Sequence, residues 1–170
     1  MSCMAEDSNR LVFSLIIKTG SVLMLETFIN MTGNRLLPIV TVRELVEAMG
    51  KGSEQFVRLI LQHASSVETS PSTSMMNMPN GVDVSMLRLI HEEFKIGHRH
   101  NFVWKVALSS CIRCNMMESV QYILEDRNPP LIYLNGWDRA EYIQLLCDIC
   151  TFGHIEHFQA MISQRPELIS

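Results

Sequence analysis

A pattern of apolar residues recurs around four small or turn-forming residues along the chain. Counted from each such anchor, the residues five, eight and nine places later are apolar, and so are those seven, four and three places earlier. With 3.6 residues per turn, each set of three lies on one face of a helix. Each unit is therefore predicted to be a helix, a tight turn and a second helix. The anchors are Gly20, Gly52, Asn115 and Gly153.

Glycine and asparagine suit such a turn, because a helix commonly ends with a residue in the left-handed region, where these two carry little steric penalty. The apolar faces of the four units are predicted to be buried. In chain order they comprise Phe13, Ile16, Ile17, Leu25, Phe28 and Ile29; Leu45, Ala48, Met49, Val57, Ile60 and Leu61; Leu108, Cys111, Ile112, Val120, Ile123 and Leu124; and Leu146, Ile149, Cys150, Phe158, Met161 and Ile162.

The spacing of the anchors indicates one further, degenerate unit. The intervals are 32 (20 to 52), 63 (52 to 115) and 38 (115 to 153) residues, and 63 is close to twice 32. Gly81 partly fits the missing anchor, but the residues before it are rich in Ser, Thr, Pro and Met, which is typical of a loop. We therefore predict a flexible insertion at 65–83 followed by a short helical segment.

A repeat of about 33 residues with this layout predicts an all-α fold, a short solenoid of stacked helix-turn-helix hairpins. Each hairpin would bury its apolar face against its neighbours. We expect a single helical-repeat domain spanning residues 1–170. Its predicted units are about 10–32, 41–64, a degenerate 81–96, 101–127 and 138–165.

The second half of each unit, such as GSEQFVRLILQHA at 52–64, resembles the second helix of an ankyrin repeat. The resemblance covers roughly residues 11–62 and 103–165. The Thr-Pro-Leu-His tetrapeptide that opens ankyrin helices is absent, and LVFS, RELV, VALS and QLLC take its places. The resemblance therefore implies a divergent, ankyrin-like stack of helix pairs without the standard ankyrin β-hairpins.

The runs GSVLMLETFIN (20–30), LLPIVTV (36–42) and FVRLIL (56–61) resemble the short repeat-element proteins of parasitoid-wasp ichnoviruses, which are polydnaviruses. This resemblance implies a viral protein that is expressed in an infected insect host and disturbs host physiology. It implies no particular biochemical activity.

Composition and charge narrow the classes of partner. The chain has 14 basic and 18 acidic residues and a net charge of −4, so it lacks the basic surface that a nucleic-acid backbone requires. The longest apolar runs, such as 11–17, fall short of the roughly 20 residues that span a bilayer. Glu6 and Asp7 stand where a secretory signal would be basic, and five cysteines, an odd number, do not suggest a disulfide framework. We expect an intracellular protein of the cytoplasm or nucleus, in the host cell if it is viral.

Two CxxC pairs form the sharpest chemical signal, and four thiolates are a zinc-ligand set. The pairs are 32 residues apart (115 to 146) and lie within predicted helices. Cys111 and Cys150 fall on the predicted buried stripes, whereas Cys114 and Cys147 do not. We therefore favour structural cysteines, because buried cysteine commonly packs as a small hydrophobe. A Cys-rich zinc protein stays open as an alternative.

Several histidines could bind a ligand, although ordinary roles are favoured for each. His154 and His157 follow the second CxxC pair and could complete a mixed metal site, but partly buried packing histidines are more common. His98 and His100 flank Arg99 in a short basic patch, for which a solvated loop is the simpler interpretation.

Two tryptophan segments suggest a second class of function. The segment 135–138 (NGWD) resembles the second homology box of Bcl-2-like apoptosis regulators, and 104–107 (WKVA) faintly resembles the first. Only about 33 residues (104 to 137) separate the two tryptophans, which leaves little room for the helices between those boxes. A Bcl-2-like regulator therefore remains the weaker alternative.

No phosphate loop, nucleophile elbow, HExxH or dinucleotide fingerprint is present, so we predict neither an enzyme nor a cofactor. A solenoid offers a continuous face, which favours binding to a host or cellular protein. The first predicted helix, RLVFSLIIK at 10–18, is apolar on several sides. Either the N-terminal tail covers it, or two copies associate through it as a homodimer.

Overall fold

The structure is a computed structural model that describes residues 2–33, 37–67, 80–94, 101–124 and 139–164. Over these residues the chain forms nine α-helices and no β-strand, so the all-α prediction is confirmed. No helix in the described part is both long and apolar enough to cross a membrane. The helices are α1 Ser2–Thr19, α2 Val22–Met31, α3 Val42–Lys51, α4 Glu54–His63, α5 Val84–Arg88, α6 Asn101–Arg113, α7 Met117–Leu124, α8 Arg139–Phe152 and α9 Ile155–Gln164.

The chain divides into two compact units, residues 1–78 and 79–170. In the first unit, α1 and α2 form one hairpin and α3 and α4 form the next. The hairpins pack side by side, with α1 against α3 and α2 against α4. Two isolated parallel β-bridges, Leu37 with Ala64 and Val40 with Val67, join the segment before α3 to the segment after α4.

Local sequence explains where these helices begin. The Thr41 hydroxyl accepts a hydrogen bond from the Glu44 backbone N–H at 3.2 Å, and the Glu44 carboxylate accepts one from the Thr41 N–H at 3.1 Å. This reciprocal capping box satisfies backbone donors that the first turn of α3 leaves unpaired. Ser21 and Ser53 cap α2 and α4 through their hydroxyl oxygens.

In the second unit, α6 and α7 form a hairpin and α8 and α9 form another. Again like helices are neighbours, because α6 packs against α8 and α7 against α9. Where the degenerate unit is predicted, α5 begins at its Asp83 cap and continues into a π-helical turn, Leu89–Glu93. This segment packs against α7 through α5.

The structure differs from the sequence prediction at both ends of the interval 65–83. Val67 takes part in a β-bridge, Val82 is fully buried, and Asp83 caps α5. The described flanks of the interval therefore make structural contacts that the sequence prediction did not include. Residues 68–79 lie outside the described residues.

The apolar stripes predicted from the anchors lie mainly in the cores of the two units. Leu61, Phe158 and Ile162 are only half-buried, Cys150 is exposed, and the other predicted positions are buried. At the turns, Gly20, Asn115 and Gly153 have positive φ angles of 65°, 56° and 73°.

Gly52 has a different reason to be glycine. Its φ of −85° is open to any residue, so the expected left-handed turn is wrong at this anchor. A Cβ there would lie 2.5 Å from the ring of Phe56 and 2.8 Å from the Ala48 carbonyl oxygen. Close packing of the α3–α4 turn, and not backbone conformation, therefore requires a glycine.

Candidate functional site

An open groove of about 1010 Å³ runs between α1 and α2 on the first hairpin. Among the described residues, its lining is mainly apolar and includes no ionisable side chain. A concave, largely apolar surface with a few polar groups is a typical binding site. The lining residues are Asn9, Val12, Ile16, Leu23, Met24, Thr27, Phe28, Met31, Thr32 and Gly33.

Large apolar side chains in this groove are exposed to solvent. The exposed fraction is 44% for Val12, 73% for Leu23, 47% for Met24 and 82% for Met31. Single exposed apolar residues are ordinary on protein surfaces, but a group of them along one groove indicates an interaction site. The groove floor is formed by the buried residues Ile16 and Phe28.

The second hairpin shows what these positions do when a neighbour covers them. Glu44, eight places before the anchor Gly52, accepts a hydrogen bond from Arg10 of α1 at 2.6 Å. Gln55, three places after Gly52, donates to Glu26 of α2 at 3.5 Å. Both positions on the second hairpin therefore face the first hairpin.

The same positions on the first hairpin line the open groove. Val12 lies eight places before Gly20, and Leu23 lies three places after it. Both side chains are exposed on this face of the first hairpin, Val12 at 44% and Leu23 at 73%. The groove is thus the unoccupied counterpart of the interface between the two hairpins of the first unit.

The fourth residue after each anchor gives independent support that this face of the first hairpin is uncovered. Phe56, Ser119 and His157 occupy it in the later hairpins, and all three are buried. In the first hairpin the position is Met24, which is exposed. Sequence periodicity missed this buried position, because serine and histidine interrupt its apolar character. Only a comparison of the fourth residue after the anchor in all four hairpins would have indicated that this position is buried.

The structure does not bring the four CxxC cysteines together. Among the described residues, no group of three or more His, Cys, Asp or Glu side chains is placed to hold a metal ion. Cys111 is buried and its thiol donates to the Val82 carbonyl oxygen at 3.2 Å. Burial raises the pKa of this thiol to about 11, which keeps it protonated.

The remaining three cysteines of the two pairs, Cys114, Cys147 and Cys150, are exposed. The prediction of a buried Cys150 is therefore wrong. Position three before the anchor is buried in the other hairpins, at Ile17, Met49 and Ile112 for example, but the last hairpin leaves it open.

His154 and His157 form a ring pair at the start of α9. Their ring centroids lie 5.3 Å apart, and His154 also stacks on Phe152 at 6.0 Å. His157 is buried, and neither of its ring nitrogens has a hydrogen-bond partner among the described residues. Burial, and secondarily the charge of His154, lowers the pKa of His157. This pair supplies two nitrogens but no complete metal-ligand set.

Trp104 lies buried in α6 and makes an edge-on contact with His91, with ring centroids 5.8 Å apart. Its indole therefore packs within the second unit. The other tryptophan segment, 135–138, and the basic patch at 98–100 lie outside the described residues.

Among the features described, the groove has the size and the uncharged, apolar lining that suit a macromolecular partner. Neither the cysteines nor the histidine pair forms a set of three or more metal ligands among the described residues. No protein-family model, curated protein or solved structure matches the chain.

Proposed function

We propose that this protein is a non-enzymatic protein-binding module and that the groove between α1 and α2 is its binding face. One observation carries the proposal. Val12 and Leu23 occupy the positions that join one hairpin to the next elsewhere in the first unit, and here they are exposed. A face of this kind fits helices of a partner, since side-chain ridges of one helix pack into the grooves of another.

The energetics require a partner that covers most of the groove. Full burial of a large apolar side chain contributes roughly 1.5–3 kcal/mol. Association costs about 4–15 kcal/mol in lost translational and rotational freedom. Leu23, Met24 and Met31 must therefore be buried together for stable binding, and a contact with one of them is too weak.

We further propose that the hairpins form a divergent ankyrin-like solenoid. The support is the same side-by-side order within each unit, α1 with α3 and α2 with α4, then α6 with α8 and α7 with α9. Stacked hairpins present a continuous surface, which is how solenoid proteins bind their partners.

A host-cell protein as partner is a proposal that rests on the sequence resemblance to ichnovirus repeat-element proteins. The intracellular location follows from the same resemblance. The groove supports a protein partner over an ionic ligand, because its described lining residues offer no charge to pair with.

The test is affinity purification of the tagged full chain from insect cells, with a matched pair of variants. Leu23→Glu places a charge in the groove, and Ile155→Glu places one at a site of similar exposure, 69%, in the second unit. We expect the same protein to co-purify with the wild type and Ile155→Glu and to be lost from Leu23→Glu. Recovery of an identical protein set with all three would overturn the proposal, and so would the absence of any partner lost from Leu23→Glu, whether a cellular protein or a co-expressed untagged copy of the chain. Circular dichroism shows that each variant is folded.

A further inference from the structure

We infer that the protein that occupies the α1–α2 groove is a second copy of this chain, bound face to face about a two-fold axis. This inference rests on the proposed function, because it names the partner of the proposed binding face. It follows from the course of α1, the charge of the lining and the kind of surface that the groove matches.

The N-terminal segment does not cover the groove. Helix α1 is continuous from Ser2 to Thr19, so the residues before Val12 extend along the helix axis. At about 1.5 Å per residue, a straight helix carries its N-terminal residues away from the groove and not back across it. The exposure of Leu23 and Met31 is consistent with this course. Of the two covers expected from the sequence, this course favours the second copy.

The charge of the groove suits contact with its own copy. Two-fold pairing places one surface opposite the same surface, so a charged side chain near the axis would meet its like, which is costly. None of the lining residues that the structure describes is charged. Eight places before its anchor, the second hairpin has Glu44, which forms an ion pair with Arg10 opposite it. The first hairpin has Val12 at the same position and needs no opposite charge.

One polar group of the groove is self-complementary. The Asn9 side-chain amide both donates and accepts hydrogen bonds, so it can pair with the same amide on a copy. The hydroxyls of Thr27 and Thr32 donate to the carbonyl oxygens of Leu23 and Ile29 and remain as uncharged acceptors. Lysine or glutamate could not pair with its own copy, since an ionised lysine only donates hydrogen bonds and an ionised glutamate only accepts them.

The groove is built to receive a helical hairpin. Within the first unit, α3 and α4 pack on α1 and α2 as a pair of neighbouring helices. A second copy supplies an α1–α2 hairpin with matching length and an uncovered apolar face.

Sedimentation velocity under reducing conditions, over a wide range of protein concentration, tests the inference. We expect the wild type and Ile155→Glu to form a dimer and no larger species. Leu23→Glu should raise the dimer dissociation constant by about a hundredfold, the scale of a central interface residue. A wild-type monomer throughout, an open series of larger species, or a dimer indifferent to Leu23→Glu would each overturn the inference.

A charge-pairing experiment tests the two-fold geometry separately. Leu23→Glu and Leu23→Lys should each be monomeric alone and should form a mixed dimer when combined, because the two-fold axis brings the two faces together. Failure of the mixture to associate contradicts face-to-face pairing. If the wild type is monomeric but Leu23→Glu still loses a cellular protein, the inference fails and the proposed function stands. If no groove-dependent protein is found either, both fail.

Discussion

Arg10 of α1 donates to a carboxylate oxygen of Glu44 in α3 at 2.6 Å, and the same oxygen accepts hydrogen bonds from the Thr41 N–H and hydroxyl. Arg10 also donates to the Ile39 carbonyl oxygen at 2.6 Å. One carboxylate therefore caps its own helix and ties it to the preceding hairpin.

Replacing Glu44 should be costly for a residue that lies outside the apolar core. Glu44→Ala removes the capping partner of Thr41 and the partner of Arg10, and we expect a loss of about 2 kcal/mol in the free energy of unfolding. Glu47→Ala breaks only the i,i+4 pair with Lys51 and should cost roughly 0.3 kcal/mol. Urea denaturation followed by circular dichroism measures both. Equal losses for the two variants would contradict the role assigned to Glu44.

Two of the positive-φ glycines, Gly20 and Gly153, separate backbone strain from crowding. A Cβ on Gly153 meets nothing within 4 Å, so Gly153→Ala should cost only the left-handed strain, about 1 kcal/mol. A Cβ on Gly20 lies 3.0 Å from the Lys51 carbonyl oxygen, which adds repulsion between the two hairpins. We expect Gly20→Ala to cost about 2–3 kcal/mol in urea denaturation. A smaller loss for Gly20→Ala than for Gly153→Ala would show that the hairpins are not so close at this turn.

The cysteines should differ sharply in reactivity. Cys114, Cys147 and Cys150 are exposed, whereas Cys111 is buried with its pKa raised to about 11. Since the thiolate is the reactive form, brief treatment with iodoacetamide near neutral pH should label the first three and spare Cys111 until the chain unfolds. Peptide mass spectrometry provides the readout. Early labelling of Cys111 would contradict its burial against Val82.

Acid should weaken the second unit through His157. Its pKa in the folded state lies below the ordinary 6.5, so the unfolded chain binds the additional proton first as the pH falls. The contribution of neutral His157 to the free energy of unfolding is therefore fully present above pH 6.5. It is lost as the pH falls from 6.5 toward the folded-state pKa. His157→Leu should flatten this loss between about pH 7 and pH 5, measured as the urea midpoint at each pH. An equally steep loss in the variant would assign the effect to other groups.

Sequence periodicity predicts the hairpins well because burial follows the 3.6-residue period inside each helix. Leu25, Val57 and Val120 occupy one position in three hairpins, and each is fully buried. The turn residues could be found for the same reason, since Gly20 and Asn115 need left-handed backbone.

Which face stays open could not be predicted this way, because it depends on whether a neighbour is present. Cys150 and Ile112 hold the same position relative to their anchors, yet Cys150 is exposed and Ile112 is buried. The sequence indicated only one side of the groove. The apolar run at 10–18 indicated an exposed first helix, but Leu23 and Met31 belong to α2 and complete the groove only when the hairpin folds.

Methionine oxidation tests most directly whether a protein covers the groove. Met24 and Met31 line it and are exposed, Met49 and Met161 are buried, and Met117 is partly exposed in the second unit. At low protein concentration, brief peroxide treatment should oxidise Met24 and Met31 faster than Met49, Met117 and Met161. In the associated protein, isolated as a complex or at high concentration, we predict that both become several-fold slower while Met117 is unchanged. Undiminished oxidation of Met24 and Met31 in the associated state would contradict the account.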